Sequence, residues 1–265
     1  MHFLKYHGSG NDFIFIERGN LTEGELPELV RRICHRRFGV GADGLMLAED
    51  SAAADIRMRY FNQDGSEAPM CGNGIRAFAR YITEQGLMDK KAFQVETLAG
   101  LMAVEIKQAF SEIAVDLGAP RYGLSAAEAR GSGCVTLPAG GEAFELDLLF
   151  LGTLHAVVFA GTGIPEDQAS ALCHHEFFPG DINVNFVEVL DEEHLRVRTY
   201  ERGVGFTLAC GTGSAAAQTI AHGKGFTKET AFIETDGGTL TVQAGERVIL
   251  TGPAVRTAEG EFFYE

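Results

Sequence analysis

The 265-residue chain has no tryptophan, only seven prolines and only five cysteines. It also lacks any apolar run approaching the roughly 18–20 residues that span a bilayer, so no transmembrane helix is expected. Basic residues are scarce as well: 22 Lys+Arg against 37 Asp+Glu leave a formal net charge of −15. That balance argues against nucleic-acid binding, which requires a basic face. An odd number of cysteines in a long chain, with no C-x-x-C, is neither a disulfide scaffold nor a zinc ribbon nor a thioredoxin-type site. The opening stretch, Met1 to Glu17, reads as a broken strand with an acidic end. It lacks the charged, apolar and small-residue zones of a secretory signal, so a cytoplasmic location is expected. What is present is apolar material, 45% of the chain, enough for a packed interior and incompatible with disorder or a collagen-like repeat. The length suits one large domain or two of about 130 residues.

The sequence repeats itself. Cys71-Gly-Asn-Gly and Cys210-Gly-Thr-Gly stand 139 residues apart, and the same offset relates Met58–Asn62 to Val197–Glu201. Downstream, Val95–Gly100 lies opposite Ile233–Gly238 at an offset of 138. Three matched segments in one order imply a duplication whose period is far too long for a solenoid. A duplication kept for folding alone is the plainer reading. A pseudo-twofold pair of domains with a site between them is the sharper one.

Alternating apolar residues predict strands at Phe13–Ile16, Gly44–Leu47 and Ile56–Tyr60. Ile75, Phe78, Ala79 and Ile82 predict a helix after Cys71, stopped at Gly86. Ser214–Ala221 predicts its counterpart after Cys210, ending at Gly223. A further helix is expected from Pro27 to Arg37, with Leu29, Val30 and Ile33 buried and Gly39 ending it. A hinge is expected near Leu117-Gly118-Ala119-Pro120, before a Ser/Ala-rich stretch. The expected fold class is α+β, with two pseudo-symmetric domains, each a mostly antiparallel sheet wrapped around a central helix that begins just after its cysteine.

C-G-x-G ahead of a helix has specific chemistry. The first helical turn leaves backbone N–H groups without partners and carries partial positive charge. Glycines let a carboxylate or phosphate approach that backbone, and the same field favours thiolate over thiol. One such site could be a core cysteine beside a helix cap. Two at matched positions point to two helix N-termini gripping one carboxylate, with two sulfurs flanking the adjacent carbon. Such an arrangement suits removal of an α-proton from one face and delivery to the other. No pyridoxal lysine pocket is visible.

These residues carry a resemblance. His7-Gly-Ser-Gly-Asn-Asp-Phe13, Gly39-Val-Gly-Ala-Asp-Gly44, Asn62-Gln-Asp-Gly-Ser-Glu67, Met70-Cys-Gly-Asn-Gly-Ile-Arg76 and Glu201-Arg-Gly203 with Ala209-Cys-Gly-Thr-Gly213 closely resemble the diaminopimelate epimerase family, along essentially the whole chain. The resemblance implies a cofactor-independent two-cysteine epimerase converting LL- to meso-diaminopimelate for lysine and peptidoglycan synthesis. It implies the two-domain fold just described, divided at the expected hinge into 1–119 and 120–255, with the last strand, about 256–265, returning to the first. It also points to a homodimer, which nothing in the residues themselves requires. By resemblance, Cys71 and Cys210 are the acid/base pair, and Gly72, Asn73, Gly211 and Thr212 the backbone cradle of the reacting carboxylate. Asn11, Asn62, Asn183 and Arg202 resemble the groups holding the distal carboxylate, and Glu201 the carboxylate facing an ammonium. A substrate with two carboxylates does need fixed donors, a cation, and an acid for its ammonium. His155 falls where the family has a site histidine; a histidine satisfied by its neighbours at a strand start is the alternative. Three positions depart from the family: Thr153-Leu154 replaces Asn-Pro, and Phe206 replaces a glutamate whose repeat mate, Glu67, is retained.

Other signals carry less. Gly8-Ser9-Gly10 fails as a dinucleotide fingerprint, because Phe13 stands where the third glycine belongs and no helix is expected to follow. Cys173-His174-His175-Glu176 has a metal-like composition, yet adjacent residues point to different faces; it reads as a surface turn, and no metal is expected. Arg31, Arg32, Arg36 and Arg37 read as a solvated helix face, Cys34 as core, and Cys134 as a loop or strand-edge residue. A racemase of glutamate or histidine on the same fold is the nearest rival, and proline-racemase relatives fit the charged residues less well. An amino-acid binder without catalysis, or a thiol sensor linking Cys71 to Cys210, represents other classes of function.

Overall fold

The computed structural model describes residues 1–122 and 133–264. Its elements run β1 His2–Gly8, β2 Asn11–Phe15, α1 Leu26–Cys34, β3 Gly44–Glu49, β4 Ile56–Asn62, β5 Glu67–Ala68, α2 Gly72–Glu84, β6 Ala92–Thr97, β7 Gly100–Gln108 and β8 Glu112–Asp116. They continue as β9 Arg121–Tyr122, β10 Cys134–Ala139, β11 Glu142–Leu151, β12 Thr153–Val158, α3 Glu166–Cys173, β13 Asn183–Val189 and β14 His194–Glu201. The last are β15 Gly205–Thr207, α4 Gly211–Gly223, β16 Thr230–Thr235, β17 Gly238–Gln243, β18 Ile249–Gly252 and β19 Val255–Glu261. The chain divides into two compact units, Met1–Val115 with Gly252–Glu265, and Asp116–Thr251. Most of the Ser/Ala-rich stretch expected after the hinge lies outside the described residues.

In the first unit the broken N-terminal strand is a hairpin, β1 antiparallel to β2. From β2 the chain crosses through α1 to a parallel β3, turns back antiparallel into β4, and crosses through α2 to a parallel β6. Strands β6, β7 and β8 then meander antiparallel. The second unit follows the same path: β11–β12 antiparallel, β13 parallel across α3, β14 antiparallel, β16 parallel across α4, then β17 and β18. Its first strand, β10, lies antiparallel to β11. The corresponding place beside β1 is taken by β19 from the chain's end, with His2 opposite Glu261. Each unit is therefore α+β, a mostly antiparallel sheet around α2 or α4.

The central helices are fixed by what they bury. Ile75, Phe78, Ala79 and Ile82 of α2 are buried, as their spacing predicts. Tyr81 stacks on Phe15 at 4.6 Å, and Tyr6 meets Phe15 edge-on at 5.2 Å. Each large side chain so buried contributes about 1.5–3 kcal/mol. Helix α4 uses small residues instead, with Ala215, Ala216, Ala217 and Ala221 all buried. Gly86, at φ +69°, follows α2 as expected. Helix α4 begins earlier than its apolar spacing suggests, because Cys210 caps it, and it runs through Gly223. The glycine with positive φ is Gly225, at +76°.

Helix α1 ends at Cys34, three residues short of the expected Arg37. The chain folds back over its last turn: the N–H groups of Val40 and Gly41 donate to the Ile33 carbonyl at 2.9 and 3.0 Å. Gly39 permits this approach, since a Cβ there would sit 2.1 Å from the Arg32 carbonyl oxygen. Arg36 consequently leaves the helix face it was expected to share and bonds Asp12 and Asp43. Helix α3, the counterpart of α1, has a weaker apolar stripe and was not anticipated. Cys173 is its buried last residue rather than part of a surface turn.

Candidate active site

Each cysteine is the N-cap of the helix at the centre of its unit. Cys71 has extended backbone angles (φ −138°, ψ 122°), and its Sγ accepts the Gly74 N–H at 3.4 Å. Cys210 repeats this (φ −108°, ψ 110°), with its Sγ accepting the Gly213 N–H at 3.4 Å. Sulfur thus occupies the place where serine or aspartate usually caps a helix. A thiolate accepts such a bond better than a thiol, and the partial positive charge of the helix start acts the same way. The glycines that follow are required by close packing. A Cβ on Gly74 would fall 2.1 Å from Cε of Met46, and one on Gly213 would fall 2.2 Å from Oδ1 of Asn185.

Around Cys71 the first unit gathers several of the residues expected from sequence. When protonated, the Cys71 thiol donates to Oδ1 of Asn11 at 3.4 Å, and the Asn11 amide donates to Asp43 at 2.5 Å. Gly72 and Asn73 form the first turn of α2 and are buried. Asn62 ends β4, where its amide donates to the Ser66 hydroxyl at 3.1 Å.

Beneath this turn lies a group the sequence reading missed. Arg76 is fully buried and donates to the Gly72 carbonyl (3.0 Å), Oδ1 of Asn73 (3.0 Å), Oγ of Ser9 (3.1 Å) and the Pro253 carbonyl (3.3 Å). Ser9 adopts a positive φ of 53°, uncommon for a residue with a side chain. The role of Gly8 is also clear, since a Cβ there would lie 2.5 Å from the Asn73 carbonyl oxygen. Gly8-Ser9-Gly10 is a tight turn against the start of α2, not a nucleotide loop.

In the second unit His155 on β12 stands beside Asn183 on β13. Asn183 accepts the Arg202 backbone N–H at 3.0 Å. The Arg202 guanidinium donates to the Thr153 hydroxyl at 3.2 Å and the Gly180 carbonyl at 3.3 Å. Thr153 therefore holds Arg202 in place. Glu201 accepts from the Thr207 hydroxyl at 2.7 Å, and the hydroxyl of Thr212 lies 3.6 Å from the Cys210 sulfur. Gly211 and Thr212 begin α4.

His155 is completely buried, and burial, reinforced by the Arg202 charge, pushes its pKa down to about 3, so the ring is neutral. The Asn185 amide donates to the Ala156 carbonyl at 2.9 Å and faces Nδ1 of His155 at 3.3 Å. Because that amide nitrogen is a donor, Nδ1 accepts and the ring proton is assigned to Nε2. Nε2 is buried and has no hydrogen-bond partner among the described residues. His155 is therefore not satisfied by its neighbours; it offers an unused donor.

The two departures from the family differ in kind. Phe206 packs on the core of its own unit, edge-on to Tyr200 at 5.2 Å, and the Arg198 guanidinium lies 3.8 Å over its ring. Arg198 is the repeat mate of Arg59, whose partner is Glu67 at 2.8 Å. A cation–π contact has replaced an ion pair. Leu154 also packs against that core, whereas Thr153 touches Arg202. Elsewhere, Cys34 is buried in the core, and burial pushes its thiol up to about 12. Cys134 opens β10 and lies near Glu145 and Asp147, close enough to share an ion. The Lys224 ammonium already sits there, 3.0 Å from Asp147.

Solved structures share this architecture. A hydroxyproline epimerase from Agrobacterium vitis superposes with a TM-score of 0.71 at 16% identity, covering 98% of this chain and 90% of that one. A predicted epimerase from Pseudomonas aeruginosa superposes at 0.72 and 15% identity, covering 100% and 99%. At these identities the likeness establishes the class of fold alone, a duplicated α+β architecture. Sequence narrows the class: the profile of the family described as diaminopimelate epimerase matches residues 3–123 and 152–257. Diaminopimelate epimerase of Moorella thermoacetica is 42% identical, over 99% of both chains. That of Methanothrix thermoacetophila is 43% identical, over 98% of this chain and 95% of its own. The chain belongs to the diaminopimelate epimerase family.

Proposed function

We propose that the protein interconverts LL- and meso-diaminopimelate by moving the α-proton between Cys71 and Cys210, without a cofactor. The observation that carries this reading is the matched pair of N-capping cysteines, each with its sulfur in the field of a helix start. One thiolate takes the proton from the α-carbon, leaving the electron pair on that carbon. The other thiol then delivers its proton to the opposite face, and the two sulfurs have exchanged protonation states. Gly72, Asn73, Gly211 and Thr212 receive the reacting carboxylate at the two helix starts, where fixed N–H dipoles oppose the developing charge. Asn11, Asn62, Asn183 and Arg202 hold the distal carboxylate, Glu201 faces an ammonium, and His155 offers its Nε2 proton as a further donor.

The test is α-deuteration in D2O without added cofactor, screened over diaminopimelate isomers, glutamate, lysine and histidine. Diaminopimelate should be labelled, and Cys71→Ala and Cys210→Ala should each abolish racemisation. Near wild-type racemisation in either variant would refute the two-base mechanism. Labelling of another amino acid in preference would refute the substrate, and no labelling at all would leave a binder or a sensor.

A further inference from the structure

Arg76 is a cation sealed inside the first unit, and its four acceptors are two backbone carbonyls, an amide oxygen and a hydroxyl. No carboxylate bonds it among the described residues. Burial lowers its pKa to about 10, which still leaves it charged at neutral pH, and the group acting against that fall is Cys71. An uncompensated buried cation is costly unless something beside it carries negative charge. The strained Ser9 and the close approach of Gly8 keep the guanidinium under the helix turn that Cys71 caps.

The second half has no equivalent at the matched position. The residue 139 positions after Arg76 is Ala215, also buried. The walls behind the two helix starts differ too: Met46 and Phe13 face Gly74, whereas Asn185 and Thr199 face Gly213. A full buried charge outweighs the dipoles of a neutral amide and hydroxyl. We infer that Arg76 is a positioning residue that makes Cys71, and not Cys210, the thiolate of the resting pair. This rests on the two-cysteine reading above.

Other charges around Cys71 offset one another. From the hairpin, Lys5 pairs with Asp12 at 2.8 Å; Arg36 bonds both Asp12 and Asp43, the latter also accepting from Asn11. On the strand leading to Cys71, Glu67 is held by Arg59. Around Cys210, the first turn of α4 carries no acidic residue and His155 is neutral. Glu201 and Arg202, at the end of β14, contribute one charge of each sign.

Each cysteine can be titrated separately by brief iodoacetamide exposure across a pH series, with the Cys71 and Cys210 peptides quantified by mass spectrometry. In the wild type the Cys71 midpoint should lie below that of Cys210 by about one pH unit or more. Arg76→Gln removes the cation, so the Cys71 midpoint should rise by a comparable amount while that of Cys210 stays in place. The acid limb of kcat/KM for α-deuteration should move to higher pH with it. Arg76→Lys, which keeps the charge, should restore most of the wild-type midpoint. A Cys210 midpoint at or below that of Cys71 overturns the inference in the wild type alone, even if no variant folds. A Cys71 midpoint unmoved by Arg76→Gln overturns it as well. Neither result touches the two-base mechanism, which is decided by deuteration in the single cysteine variants.

Discussion

Gly74 and Gly213 occupy the same place in the two halves, and alanine at each should have unequal costs. At Gly213 the new methyl group would sit 2.2 Å from Oδ1 of Asn185 and 3.1 Å from Oγ1 of Thr199. Asn185 cannot swing aside freely. It donates to Ala156 at 2.9 Å, accepts from Thr199 at 3.0 Å and faces His155 at 3.3 Å. Displacing it removes two or three buried hydrogen bonds at about 1 kcal/mol each, against a helix-propensity gain of about 0.5–1 kcal/mol for replacing glycine. The net loss is about 2 kcal/mol, a fall in Tm of roughly 4–8 °C. At Gly74 the first obstacle is Cε of Met46, the free end of a side chain with three rotatable bonds, so the cost should be nearer 1 kcal/mol. Calorimetric or urea melts of both variants give the comparison. In an Asn185→Ala background most of the excess cost of Gly213→Ala should disappear, because the nearer of its two obstacles has gone. A larger loss for Gly74→Ala, or an excess that persists in full without Asn185, would refute the packing argument.

His155 adds a pH dependence. Its folded pKa of about 3 lies below the ordinary 6.5, so below 6.5 the unfolded chain takes a proton that the folded chain refuses. The stability it supports is complete above pH 6.5 and falls as pH drops toward 3; His155→Gln should flatten that slope by up to one proton in equilibrium melts. Arg202→Ala should lower kcat/KM for diaminopimelate by about 30-fold or more, the effect of some 2 kcal/mol for stranding a carboxylate. Thr153→Ala, which removes one bond to that guanidinium, should lower it only several-fold, about 1 kcal/mol; the reverse order would overturn the distal assignment. Phe206→Glu should cost about 1–3 kcal/mol of stability through lost packing, offset in part by a new pair with Arg198, and leave the preference for diaminopimelate over glutamate unchanged. A changed preference would place Phe206 in the site.

The duplicated architecture was legible because its signals are local. Period-two strands, glycine stops and the two C-G-x-G caps each depend on a few adjacent residues, and the 139-residue offset multiplies them. What escaped depends on distant contacts. The end of α1 is set by the return of Gly39–Gly41 over Ile33, which no helical propensity of Arg36 or Arg37 encodes. Helix α3 was missed because its apolar stripe is short, although its repeat mate α1 was in view. Arg76 reads in isolation as one more helix-surface arginine; its burial depends on Ser9 and Pro253, at opposite ends of the sequence. A signal was nonetheless available, since aligning the two halves places Ala215 where Arg76 stands. The unused Nε2 of His155 required the orientation of Asn185, which only the fold supplies.

The differences between the halves follow from the reaction proposed. Epimerisation treats the two faces of one carbon alike, and the elements that serve it are the ones the halves share: a sulfur N-cap, a bond from the third N–H, and a glycine with no room for a methyl group. One proton, however, must be absent from the pair at rest, and a strictly symmetric pair of sites would not select which sulfur lacks it. On the inference drawn above, the duplicated positions diverge where that choice is made, with Arg76 against Ala215 and Met46 against Asn185. The substrate is also asymmetric along its length, with a reacting end and a distal end. Arg202 and Thr153 sit in the second half alone, beside a histidine with an unused donor. On the proposed mechanism, the duplicated fold keeps its symmetry in the elements that would serve the reacting carbon and departs from it where charge and substrate length demand a direction.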